Sequence, residues 1–173
     1  MTRILLLLAF CLLPTTSHVT ALQPPNGTTT VILVRHAERV PGDGDVAISD
    51  RGRERANALA RLLVDADVQA IITSQMIRTQ QTADPIAKLK AIKPVVLPAD
   101  KLDAVVERIR LMKSGTVLVV HHSNTVPALV EKLGGKTPPI QDDEFDRLIV
   151  LTIPPTGSAS VVTLRYGGGS SPM

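Results

Sequence analysis

Tryptophan is absent from this 173-residue chain, and its aromatic residues, 2% of the total, are Phe10, Phe145 and Tyr166. Proteins that grip single-stranded nucleic acid stack bases on aromatic platforms, so this supply argues against that function. The core must come from Val, Ile, Leu and Ala, which favours helices packed on an aliphatic sheet. Cysteine pairs are absent too: Cys11 stands alone, which excludes an intrachain disulfide scaffold. Neither sign of charge dominates, since 19 Lys and Arg against 16 Asp and Glu leave a net charge of +3. That balance suits an anionic substrate without demanding one. The 13 prolines and 11 glycines are scattered as punctuation, which excludes collagen-like and low-complexity chains. What remains, 44% hydrophobic and 20% charged residues, is the composition of one globular domain.

The N-terminus carries its own signal. Arg3 precedes an unbroken apolar run from Ile4 to Leu13, Pro14 ends the run, and Val19-Thr20-Ala21 places short residues before a cut after Ala21. This is the layout of a secretory signal peptide, and ten apolar residues are too few to cross a bilayer as a helix. The sequence therefore predicts a signal peptide over 1–21 and a periplasmic or secreted protein with no stable membrane insertion. A lipid anchor on Cys11 is the weaker alternative, because bulky Phe10 precedes it.

Beyond that point strands and helices alternate. Thr28 to Val34 reads as a buried strand ending at Arg35-His36, followed by a Gly/Asp/Pro loop from Pro41 to Asp45. Ser49 or Asp50 caps a helix to about Val64, Ala70 to Thr73 is a strand, and Met76 to Lys90 a helix with a kink or restart at Pro85. Val95 to Leu97, Leu102 to Met112 and Thr116 to Val120 continue the alternation, the last strand ending at His121-His122. Asn124 caps a helix from Val126 to Leu133 that Gly134-Gly135 terminates. Leu148 to Ile153 and Ser160 to Tyr166 are a closing pair of strands. The pattern predicts a single α/β domain over 28–166, a mostly parallel sheet flanked by helices in three layers, with a flexible tail over 167–173.

In such sheets ligands bind beyond the carboxyl ends of the strands. Arg35-His36 closes the first strand, Arg78 opens the helix after the second, and His122 closes the fourth, so three separate stretches send two Arg and two His to one edge. Each alone has a plainer account as a surface or core residue. Together they match phosphoryl chemistry, in which guanidinium forks hold phosphate oxygens and a neutral imidazole attacks phosphorus. Most of the catalysis is then electrostatic, and neither metal nor cofactor is called for.

Val34-Arg35-His36-Ala37-Glu38 resembles the signature of the histidine phosphatase superfamily, the phosphoglycerate-mutase-like proteins, with Ala37 where Gly is usual. Ile48-Ser49-Asp50-Arg51-Gly52-Arg53 is similar to the entry of that family's first helix. Thr73-Ser74 through Arg78-Thr79-Gln80-Gln81-Thr82-Ala83 resembles its arginine block, and His121-His122-Ser123-Asn124-Thr125 its second-histidine motif, with His121 where Gly is usual. The four blocks follow the family's order from about Thr29 to Leu133 and point to the small phosphohistidine-phosphatase-like branch. The resemblance implies a phosphoglycerate-mutase-like sandwich, His36 as the phosphorylated nucleophile, and Arg35, Arg78 and His122 as the phosphate pocket. His121 becomes neighbouring wall and Asn124 a helix cap.

The proton donor departs from the family pattern. The acid-phosphatase branch has Asp directly after the second His, where this chain has Ser123, and the stretch after Leu97 offers Asp100 and Asp103 rather than Glu. Glu38 is the other carboxylate near His36. Of the three, Asp103 opens a helix whose dipole keeps it ionised, which favours Asp100. The reading is thus an exported, metal-independent phosphatase acting on phosphorylated small molecules or phosphoproteins, through phosphomonoester or phosphoramidate cleavage. The alternatives are a non-catalytic phosphate- or phosphosugar-binding module and a phosphoglycerate-type mutase. A nucleic-acid or polyanion binder using Arg51, Arg53, Arg55 and Arg61 is disfavoured, because Asp50, Glu54 and Asp65 interleave with them. Mass analysis of the protein from its native host should find a chain beginning near Leu22; an intact Met1 on cytoplasmic material would refute export.

Overall fold

The computed structural model describes residues 27–169. The signal peptide expected over 1–21, with Cys11, lies outside the described residues, as do residues 170–173 of the expected tail. Within them the elements run β1 (Thr29–Arg35), α1 (Asp50–Leu62), β2 (Val68–Ser74), α2 (Ile77–Lys90), β3 (Val95–Leu97), α3 (Leu102–Arg110), β4 (Gly115–His121), α4 (Thr125–Lys132), β5 (Arg147–Ile153) and β6 (Ser160–Arg165). The strands form one mixed sheet in the order β3-β2-β4-β1-β5-β6. The first four in that order pair in parallel, and β5 and β6 add antiparallel to β1.

The central strands are apolar throughout because both faces of the sheet are covered. Side chains alternate across a strand, so Val31 and Leu33 of β1 join Val117 and Val119 of β4 under Val105 and Ile109 of α3 and Leu129 of α4. Ile32 and Val34 join Leu118 and Val120 on the opposite face, under Leu59 of α1 and Ile86 of α2. Burying a Leu, Ile or Val side chain contributes roughly 1.5–3 kcal/mol, and these two aliphatic layers hold the strand ends in register. Pro85 does not restart its helix: α2 runs continuously through it and ends at Ala91 in a left-handed conformation. No helix among the described residues is long and apolar enough to cross a membrane.

The chain just past β1 is fixed by the start and body of α1. Ser49 caps that helix, its Oγ accepting from the Gly52 N–H at 3.2 Å, while the Ser49 N–H donates to the Glu38 carbonyl at 2.8 Å. Glu38 reaches into α1 as well, where Arg55 donates to both its carboxylate oxygens at 2.7 and 2.8 Å. Arg55 also donates to the Tyr166 and Gly168 carbonyls, and Arg51 to that of Gly169, so residues 167–169 of the expected tail are tied to α1.

Gly52 is required by this packing. A Cβ at that position would stand 2.2 Å from the Glu38 carbonyl oxygen and 3.0 Å from the Ile48 side chain. An Ala in place of a helical Gly ordinarily stabilises by about 0.5–1 kcal/mol. Here Gly52→Ala should instead destabilise by about 1–3 kcal/mol, because backbone must move to admit the methyl. Urea unfolding of the two chains decides the sign, and a stabilised variant would contradict the contact.

Candidate functional site

Parallel pairing of β1 with β4 runs without offset from Thr29 opposite Gly115 to Arg35 opposite His121. The ladder extends one bond further, from the His36 N–H to the His121 carbonyl at 2.8 Å. The two chains therefore leave the sheet side by side, and the rings of His36 and His122 meet edge-on with centroids 5.4 Å apart. Strand β2 pairs with β4 on its other side and ends at Ser74. Helix α2 then brings Arg78 to the same place. A cavity of about 610 Å³ opens there, lined by His36, Arg78, His122, Asp100, Asn124 and neighbouring residues. A larger cavity of about 910 Å³ adjoins it and shares Ser123 and Asn124, but no histidine or arginine lines it.

The His36 ring is held through one nitrogen. Nδ1 lies 2.8 Å from the Ala37 carbonyl, which can only accept, so Nδ1 carries the proton and Nε2 keeps its lone pair. The Ala37 N–H in turn donates to Thr82 Oγ1 at 2.9 Å, and the Thr82 hydroxyl donates to the Arg78 carbonyl at 2.7 Å. One threonine thus locks the His36 segment to the helix that carries Arg78. Burial pushes the His36 imidazolium down to about 4, helped by the charges of Arg35, Arg78 and Arg39. Burial likewise takes His122 down to about 3, with His121, His36 and the arginines adding to it. Both rings are therefore neutral at physiological pH.

The two arginines are held differently. Arg78 faces the cavity, with Nη1 3.6 Å from the Asp45 carboxylate and 3.4 Å from the Gly44 carbonyl. Its Nε is buried without a hydrogen-bond partner. Asp45 also accepts from the Ile77 N–H at 2.8 Å, so it pins the loop after β1 to the start of α2. Arg35 does not line the cavity, although the Phe145 ring that it covers also meets the His36 ring at 6.1 Å between centroids. Arg35 Nη1 donates to the carbonyls of Gln141, Asp142 and Glu144 at 2.8–3.2 Å, and its guanidinium lies 4.0 Å over the Phe145 ring. Strand alternation explains the difference from the expectation, since Arg35 and His36 are consecutive.

Three other expectations are corrected by geometry. Glu38 does not face the cavity: the Arg55 fork and Arg51 hold its carboxyl below the usual range, against the opposing effect of burial. Asn124 occupies the N-cap position of α4 but its side chain makes no cap bond, because the Thr125 and Val126 N–H groups already donate to the His122 carbonyl at 3.2 and 2.9 Å and Pro127 has no N–H; Asn124 lines the cavity instead. His121 is no part of the cavity wall. It is fully buried, with Nδ1 2.5 Å from Thr125 Oγ1 and Nε2 unpartnered.

Of the carboxylates after β3, Asp103 is exposed and bound to Lys132 at 2.8 Å, which lowers its acidity constant's midpoint further below the usual carboxylate range. Asp100 does line the cavity, with 74% of its side chain exposed and Lys101 3.6 Å away. Residues whose part was not visible in the sequence are Thr82, Ser74, Thr79, Asp45 and Phe145. Ser74 could have been suspected from its place at a strand end on the same edge; the others are brought in by contacts distant in sequence. Among the described residues, no group of three or more His, Cys, Asp or Glu side chains is gathered to hold a metal ion.

An α/β sandwich with two histidines at adjoining parallel strand ends and an arginine across from them is the architecture of the histidine phosphatase superfamily. Residues 31–99 match the model of that superfamily's branch 1. The PE-PGRS family protein PE_PGRS11 of Mycobacterium tuberculosis (strain ATCC 25618 / H37Rv) is 41% identical over 86 residues, which are 42% of this chain and 14% of that protein. The chain thus matches a small part of that relative's length. The fold is shared with the protein histidine phosphatase SixA, solved with tungstate, at a TM-score of 0.66 and 18% identity over 79% of this chain and 96% of that one. It is shared also with phosphoglycerate mutase of Bacillus anthracis strain Sterne, at 0.62 and 14% over 79% and 92%.

The buried histidines make stability depend on pH. His36, His121 and His122 fall from 6.5 to about 4, 4 and 3 on folding, chiefly through burial. As pH drops below 6.5 the unfolded chain takes up protons that the folded chain refuses until about 4, so stability falls across that window. Carboxylates held low by ion pairs, such as Glu38 and Glu144, begin to contribute about a unit above their ordinary value of 4.5. Thermal midpoints should therefore already decline between pH 6.5 and about 5.5, ahead of the carboxylates; a flat profile there would disprove neutral burial of the three rings.

Proposed function

We propose that this protein is a phosphatase that passes a phosphoryl group through His36. The observation that carries the reading is the state of that ring: Nδ1–H fixed on the Ala37 carbonyl, Nε2 bare, beside His122 and Arg78 in one cavity. A neutral imidazole with a free lone pair is the required nucleophile, and burial keeps it neutral well below physiological pH. The Nε2 lone pair forms the bond to phosphorus as the bond to the leaving oxygen or nitrogen breaks. The Ala37 carbonyl then faces an Nδ1–H made more acidic by the new phosphorus bond. Arg78 supplies fixed positive charge for the phosphoryl oxygens, and the charge of Arg35, felt at both rings from outside the cavity, adds to it. Water next attacks phosphorus: the oxygen–phosphorus bond forms as the phosphorus–nitrogen bond breaks, its electron pair returns to Nε2, and the water's protons leave with the phosphate and to solvent.

The proton for the leaving group comes from Asp100 or from water, since Glu38 and Asp103 are engaged elsewhere. A buried, well-placed acid contributes about 10²–10⁴-fold, and the carboxylate that lines this cavity, Asp100, is largely exposed. Substrates whose leaving group departs without help are therefore favoured: phosphoramidates such as phosphohistidine, and aryl rather than alkyl esters. The likeness to a protein histidine phosphatase supports phosphoprotein among the substrate classes, and the open cavity supports small phosphoesters as well. The apolar N-terminal run supports action outside the cytoplasm.

Rapid quench of the purified chain with labelled p-nitrophenyl phosphate should trap an acid-labile, base-stable phosphoryl group on His36. His36→Ala should lose the adduct and the turnover together while retaining the fold. Asp100→Asn should slow an alkyl phosphate much more than p-nitrophenyl phosphate if Asp100 is the donor, and both equally little if water is. Undiminished turnover by the His36 variant would overturn the reading, and tight phosphate binding without any turnover would replace it with a binding module.

A further inference from the structure

The hydroxyl of Ser74 sits behind His122, and the hydrogens around it can be counted. Ser74 Oγ lies 3.0 Å from His122 Nε2, 2.9 Å from Thr79 Oγ1 and 3.2 Å from the Met76 N–H. Ser74 and Thr79 are both completely buried. A hydroxyl has one proton to give and two lone pairs to receive. Thr79 Oγ1 is 2.8 Å from the Met76 carbonyl and 3.0 Å from the Ser74 carbonyl, and carbonyls only accept, so the Thr79 proton goes to them. The 2.9 Å contact between the two hydroxyls must then use the Ser74 proton, with Thr79 accepting. Both lone pairs of Ser74 are left to receive, one from the Met76 N–H and the other from His122. In the opposite assignment Thr79 would donate to Ser74 and Ser74 to His122, and the approaches of Thr79 Oγ1 to the two carbonyls, at 2.8 and 3.0 Å, would both be left without a hydrogen between the oxygens, which costs rather than stabilises.

We infer that Ser74, backed by Thr79, is a positioning residue that holds His122 in the tautomer with its proton on Nε2, leaving Nδ1 as the nitrogen available to a phosphoryl oxygen. Nδ1 of His122 has no hydrogen-bond partner among the described residues, and the ring lines the cavity. The catalytic half of this inference rests on the proposed phosphatase reading. When a phosphate monoanion enters, its acidic proton moves to the Nδ1 lone pair, and Nδ1–H donates back to the phosphoryl oxygen. The Nε2–H stays on Ser74 throughout. The two histidines are thereby assigned opposite tautomers, each by a bond to the protein: His36 by a carbonyl on Nδ1, His122 by a hydroxyl on Nε2.

Proton-detected ¹⁵N spectra of the histidine-labelled wild-type chain, at neutral pH and without substrate, read the tautomer directly. The expected result is a protonated-type Nε2 and a bare-type Nδ1 for His122; the reverse would overturn the inference. Thr79→Val removes the acceptor of the Ser74 proton, which then turns to His122 and should invert the tautomer. An unchanged tautomer in that variant would also refute the count, and if the variant does not fold the wild-type spectrum still decides. Ser74→Ala should lower kcat on p-nitrophenyl phosphate by about tenfold or more with little change in KM, and an unchanged kcat counts against the positioning role. The spectra need no turnover, so failure of the phosphatase reading and failure of the tautomer assignment are distinguishable: an inactive chain with Nε2–H on His122 loses the first alone, and an active chain with Nδ1–H loses the second alone.

Discussion

Parallel pairing of β1 with β4 without offset is the constraint on which the candidate site depends. It carries Arg35 opposite His121, adds the bond from the His36 N–H to the His121 carbonyl, and so makes His36 and His122 neighbours. A slip of one residue would send every side chain of β1 to the other face, burying polar groups among aliphatic ones. The alternating layers of Val31, Leu33, Ile32 and Val34 exclude that slip. The register of an apolar sheet is thereby converted into the spacing of two imidazoles.

Gathering two imidazoles and two guanidiniums at a sheet edge brings only one sign of charge together. The site is tolerable because the rings are neutral: burial and the nearby arginines remove the proton from each. An incoming dianion or monoanion reverses that balance, since it brings negative charge directly to the two rings and Arg78. Every anchor in the vicinity serves to keep these groups in place before the anion arrives. Thr82 joins the His36 segment to the Arg78 carbonyl, Asp45 ties the loop after β1 to the start of α2, and Glu38 closes on Arg55. Preorganised charge of this kind needs no rearrangement at the moment of reaction, which is where electrostatic catalysis draws its advantage.

Glu38 and Asn124 illustrate how a motif can be located while its parts are given the wrong task. Glu38 is two residues past the candidate nucleophile, and spacing alone made it a potential acid. Whether it faces the cavity or α1 depends on Arg55, which is 17 residues away and closes a bidentate ion pair with it. Asn124 stands where a helix cap belongs, but the His122 carbonyl already accepts from the Thr125 and Val126 N–H groups and Pro127 has none to offer. Gly52 shows the converse. The glycine was visible in the helix-entry motif, and its necessity became visible only when the Glu38 carbonyl was found 2.2 Å from where its Cβ would be.

The sequence by itself determined the element order, nearly every strand and helix, the edge of the sheet at which chemistry gathers, and the identities of His36, Arg78 and His122 as its principal groups. These follow from local hydrophobic periodicity and from the rule that parallel sheets bind ligands at their carboxyl ends, and both can be read along the chain. The tertiary structure alone decided which face Arg35 takes, which carboxylates are already paired, how Thr82, Ser74 and Thr79 grip the site, and which nitrogen of each histidine is free. Those questions turn on hydrogen bonds between residues up to about a hundred positions apart, such as Arg35 with the Gln141 carbonyl. A hydrogen bond depends on distances of a few tenths of an ångström, and no pattern of residue types along a chain encodes that before the sheet has closed.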